Sequence, residues 1–122
     1  MSGGKNVLPN FVPRIRVEVY VPIRYEVAYQ ETLSWVIREF TELRGGCTVI
    51  ENTGGYYLSQ SDEIIEDRVN VVYSDFPMNW DDEADHAEAL EYCSQLQNFL
   101  LMNLWEEAVL ITARAVYHHE LS

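Results

Sequence analysis

The sequence predicts an α+β fold, with a four-stranded antiparallel sheet carrying two helices on one of its faces. Three observations lead there. Four extended runs alternate apolar and polar residues at a period of two, the mark of half-buried strands. Two longer stretches between them carry apolar residues at helical spacing. The resulting order is β-α-β-β-α-β, and two helices can cover only one face of four strands. This arrangement is the ferredoxin-like two-layer sandwich.

Residues 1–13 hold Gly3, Gly4, Pro9 and Pro13 and read as a flexible lead-in to a single domain over residues 14–122. In RIRVEVYV, Ile15, Val17, Val19 and Val21 point one way; Arg14, Arg16, Glu18 and Tyr20 point the other. Pro22 ends that strand. Over residues 24–44, Tyr29, Leu33, Val36, Ile37 and Phe40 form a helical stripe. Gly45 or Gly46 then supplies the left-handed residue of a helix C-cap.

The stretch RGGCTVIENTGG holds two glycine pairs. A phosphate loop precedes a helix, so that the helix N-terminal amides face the anion. Here the helix comes before the first pair, which is therefore structural. The second pair, Gly54-Gly55, lies in an extended run. It fits a tight hairpin turn or a bulge that kinks one long strand. The kink is preferred, because SQSDE downstream is the better turn.

In IIEDRVNVVY, Val69, Val71 and Tyr73 share one face; Glu66, Arg68, Asn70 and Val72 share the other. SDFPMNW is a polar connection, and Asn79 and Asp81 offer N-cap chemistry. The acids Asp81, Asp82, Glu83 and Asp85 suit the first turn of a second helix, where the dipole favours negative charge. Ala84, Ala87, Leu90 and Cys93 mark that helix, with Leu96, Phe99, Leu100 and Leu104 toward its end. In the last strand Val109, Ile111, Ala113 and Ala115 oppose Leu110, Thr112, Arg114 and Val116.

A helix, then GGCT, then Gly55-Tyr56-Tyr57, then an acidic strand with Val-Asn-Val-Val-Tyr, resembles a family of small bacterial proteins of cyanobacterial type. The resemblance spans about residues 14–118. It implies a ferredoxin-like fold and self-association. The family has no established activity, so the resemblance implies no catalytic residues.

Twenty acidic residues against eight basic ones give a net charge of −12. Duplex nucleic acid and anionic membrane surfaces are poor partners, since both are held mainly through Lys and Arg. An RNA-recognition reading of the same element order fails too, because Glu66 and Asp67 stand where its third strand needs a basic, aromatic face. No apolar run reaches the length of a signal peptide or a membrane span. Cys47 and Cys93 form no CxxC, so reduced thiols in a cytoplasm are expected.

The uncovered sheet face is the informative surface. Alternation assigns it Arg14, Arg16, Glu18, Tyr20, Glu66, Arg68, Asn70, Val72, Leu110, Thr112, Arg114 and Val116. Four of the eight basic residues fall there on a strongly acidic chain. Three uses compete: cross-strand ion pairing on a solvated face, a homo-oligomer interface, and a small anionic-ligand site. The first candidates for the last two are Arg16, Glu18, Tyr20, Arg68, Val72 and Arg114, with Tyr57 near the ligand. The leading expectation is a noncatalytic module that pairs with itself; an anionic-ligand protein or enzyme is the alternative. No cofactor is expected. Asp81, Asp82, Asp85 and His86 match no metal loop. Adjacent His118 and His119 point to opposite faces of a strand and are expected to be exposed. GxSxG, HExxH, Walker and GxGxxG patterns are all missing.

Overall fold

The computed structural model describes residues 11–106 and 108–119. The chain runs β1 (Phe11–Pro22), α1 (Val27–Arg44), β2 (Thr48–Leu58), β3 (Ile64–Phe76), α2 (Glu83–Asn103) and β4 (Ile111–His119). All strand pairs are antiparallel, in the order β2-β3-β1-β4. The expected α+β two-layer sandwich is therefore the fold observed. No helix among the described residues is long and apolar enough to cross a membrane.

The core forms where the helix-facing side of the sheet meets α1 and α2. Ile15, Val17 and Val19 are fully buried and meet Val36, Phe40, Phe76 and Leu100. Each such side chain stabilises the fold by about 1.5–3 kcal/mol relative to exposure. Helix α1 ends at Gly45, whose φ of 88° is left-handed and whose N–H donates to Thr41 O. Helix α2 starts on Asp82, whose carboxylate accepts from Asp85 N at 2.9 Å. The acids at this end thus have structural work. Along α2 the buried residues are Ala89, Leu96 and Leu100. Leu90 is exposed, so the apolar stripe expected over the first half of this helix is rotated from the real one.

The lead-in expected over residues 1–13 falls partly on residues 1–10, which lie outside the described residues. Phe11–Pro13 belong to β1 and pair with His119–Tyr117 of β4. Strand β3 pairs with β1 only from Ile15 onward, so β1 is an edge at Pro13 and needs no amide donor on that side.

Strand β2 is one long strand with an irregularity between Ile50 and Thr53. Glu51 and Asn52 there stand opposite the single residue Asn70. Asn52 is left-handed at φ 53°. The kink reading is thus observed, two residues ahead of the glycines, and the hairpin turn lies at residues 59–63, where Ser59 N donates to Glu63 O. Because β1 pairs with β3 no further than Val69, the end of the β2–β3 hairpin projects past its neighbours. Tyr56, Tyr57, Leu58 and Ile64 are exposed on that arm.

Candidate functional site

The register of β3 corrects one expectation. Arg16 lies opposite Asp75, Glu18 opposite Tyr73 and Tyr20 opposite Val71. The open face of β3 therefore carries Val69, Val71, Tyr73 and Asp75. Val72 faces the helices and is fully buried, so it presents nothing to a partner. Arg68 lies on that same helix side. Alternation along β3 is as expected, with the two faces exchanged. The physical reason is the overhang: Glu66 and Arg68 extend past the helices, so charge is tolerated there on the core side.

Arg68 has a local task. Its Nε donates to Asn52 Oδ1 at 2.9 Å, its Nη2 to Asn52 O, and Glu66 lies 3.6 Å from Nη1. It thereby holds the bulge. A Cβ on Gly54 would stand 2.7 Å from Arg68 Nη1, so Gly54 leaves room for the guanidinium.

The middle of the open face is a set of satisfied charges. Arg16 Nε donates to Asp75 Oδ1 at 2.7 Å and Nη2 to Oδ2 at 2.9 Å. His118 Nε2 stands 2.6 Å from the same Oδ2. The Arg16 guanidinium also lies over the Tyr73 ring at 4.2 Å. The hydrogen bonds from Arg16, more than those from His118, hold the Asp75 carboxyl below its ordinary range, and Asp75 raises Arg16 in turn. Beside them, Glu18 accepts from Thr112 Oγ1 at 2.8 Å and lies 3.5 Å from Arg114 Nε. The structure thus brings Arg16, Glu18, Tyr20 and Arg114 onto one face and leaves Arg68 and Val72 off it.

Toward the end of β1 the face opens into a groove of about 710 Å³. Tyr20, Pro22 and Val69 line it with Tyr57 and, across from them, Leu110. Gly55 pairs with Asp67, and a Cβ there would meet only Asp67 O at 3.7 Å. The missing side chain keeps this part of the groove open. At the rim Arg24 Nη1 donates to Asp67 Oδ1 at 2.8 Å, and its Nη2 lies 3.5 Å from Glu106 Oε1. Glu106 Oε2 accepts from the Tyr29 hydroxyl at 2.6 Å. Burial, reinforced by that bond, pushes Tyr29 up to about 12.

Sequence reasoning missed Asp75, His118, Arg24, Glu106 and Tyr29. Asp75 is legible, since it continues the alternation of Val69, Val71 and Tyr73; the expected strand stops at Tyr73, one alternation too early. The Arg24–Asp67–Glu106 set joins three distant segments and carries no local signal. His118, expected to be exposed, instead joins the Asp75 cluster. His119 stacks on Phe11 at 4.8 Å.

Among the described residues, no three His, Cys, Asp or Glu side chains group as a metal site. No family model matches the chain, and no curated protein does. Two solved structures are similar in fold. One is the divalent cation tolerance protein Cut A1 from Thermus thermophilus, at TM-score 0.50 and 14% identity over 84% of this chain and 82% of that one. The other is CutA1 from Oryza sativa, at TM-score 0.54 and 16% identity over 88% and 83%. At such identities the likeness is one of fold, and the chain shares the ferredoxin-like architecture of these CutA1 proteins.

Proposed function

We propose that this chain is a cytoplasmic, noncatalytic module that assembles with copies of itself through the open sheet face. One observation carries the reading. On a chain of net charge −12, this face sets Arg14, Arg16 and Arg114 against Glu18 and Asp75, with His118 among them. It is close to neutral where the rest of the surface is strongly acidic. Two copies can approach there without the like-charge repulsion met elsewhere. Tyr20, Leu110 and Val116 supply apolar contact. The resemblance to small bacterial proteins of cyanobacterial type carries the same expectation.

The anionic-ligand reading loses its motive, because Arg16, Arg68 and Arg114 each have an acidic partner within 4 Å. The phrase "divalent cation tolerance" belongs to the Thermus protein and brings no metal to this chain.

The test is sedimentation velocity of the native chain and of Leu110→Glu. Leu110 is 56% exposed, so the change leaves the fold intact while adding charge to the face. The native chain should sediment as an assembly and the variant as a single chain. Identical sedimentation of the two would remove the open face from the assembly.

A further inference from the structure

We propose that the groove at the end of the open face binds an organic quaternary ammonium, a cationic head on a small apolar or aromatic body. The groove lies within one chain but shares Tyr20 and Leu110 with the proposed contact between copies, so the ligand and a partner copy compete for this end of the face.

Size comes first. A cavity of about 710 Å³ lies within the range of small-molecule sites, which is roughly 300–1,000 Å³. Its walls are mainly apolar, with the rings of Tyr20 and Tyr57 among them. Aromatic faces attract cations through the ring quadrupole, and quaternary ammonium groups are the best-suited ligands of such walls.

Charge decides the sign. The rim holds two carboxylates, Asp67 and Glu106, against one guanidinium, Arg24. The site is net negative, on a chain that is itself at −12. An anion would meet repulsion at the rim and from the molecule as a whole.

Hydrogen bonding decides the kind of cation. Both Asp67 oxygens face Arg24, at 2.8 and 3.4 Å, and Glu106 Oε2 holds the Tyr29 hydroxyl at 2.6 Å. Part of the acceptor capacity of each carboxylate is thus taken within the chain. A primary ammonium needs acceptors to replace its lost water. A quaternary ammonium has no N–H and needs only negative potential and apolar contact, which is what this groove offers. Gly55 supplies the space, as any side chain there would enter the groove beside Asp67.

The experiment is isothermal titration of the full chain with benzyltrimethylammonium, alongside benzylamine, benzyl alcohol and benzoate. Benzyltrimethylammonium should bind saturably, ahead of benzylamine and benzyl alcohol, and benzoate should not bind. Glu106→Gln, which keeps shape and removes one charge, should weaken it by about ten-fold. Gly55→Val should abolish binding by filling the groove; should that variant fail to fold by circular dichroism, Glu106→Gln still decides. No saturable heat from benzyltrimethylammonium would overturn the proposal. So would tighter binding of benzoate, or equal affinity in the native chain and Glu106→Gln.

Discussion

Arg16 and Asp75 face one another across the two central strands, joined by two hydrogen bonds of 2.7 and 2.9 Å. The pair is largely shielded, with 23% and 12% of the side chains exposed. Such a fork-to-carboxylate pair fixes both the register and the direction of the charges on the face. Asp75→Asn should cost about 1–3 kcal/mol in urea unfolding, since it leaves Arg16 without its carboxylate. A cost near zero would mean that water serves Arg16 equally well.

The same pair sets an acid dependence. Asp75 titrates lower in the folded chain than its ordinary value of 3.8. Its stabilisation is present above that value and is lost as pH falls through the folded one. The native chain should therefore lose stability below about pH 4 more steeply than Asp75→Asn does. Parallel curves for the two proteins would contradict the assignment.

Tyr92 is pushed up by burial and by Glu39, and the buried Tyr29 contributes beside it at alkaline pH. The folded value of Tyr29, about 12, lies above the ordinary 10.0, so the neutral hydroxyl is the form that the fold favours. This contribution is complete below the ordinary value and fades as pH rises toward the folded one. Thermal midpoints should fall between those limits, and Tyr29→Phe should flatten the fall. An unchanged slope in the variant would show that other groups govern it.

Val72 and Leu110 separate the core from the face. Val72→Ala should cost about 1.5–3 kcal/mol, because the side chain is fully buried, and should leave the mass of the folded protein unchanged. Leu110→Glu should do the opposite. A mass change in Val72→Ala at full folding would mean that β3 is turned the other way.

Most of the architecture is legible in the sequence because β1 and α1 follow strict periods. Ile15, Val17 and Val19 alternate cleanly, and Tyr29, Val36 and Phe40 keep helical spacing. Strand β3 is harder. Its valines occur on both faces, at Val69, Val71 and Val72, and only its second half, Val72 to Phe76, lies under the helices. Polarity near Glu66 therefore points to the wrong face. The bulge at Asn52 is half-legible: its existence follows from the long strand, but its position depends on Asn70 and Arg68 across the ladder. The groove is invisible, since Arg24, Asp67 and Glu106 meet only through the fold. Gly55 suggests a kink in the strand and proves to leave space beside Asp67.

The central claim is that the near-neutral sheet face joins copies of this chain. Light scattering on a sizing column, at low and moderate salt, tests it most directly. The expected result is a stable mass of two or more times 14.2 kDa, the mass of one chain. That mass should persist at moderate salt, because apolar contact is screened little while repulsion between acidic surfaces is reduced. A single-chain mass of 14.2 kDa under both conditions would contradict the claim.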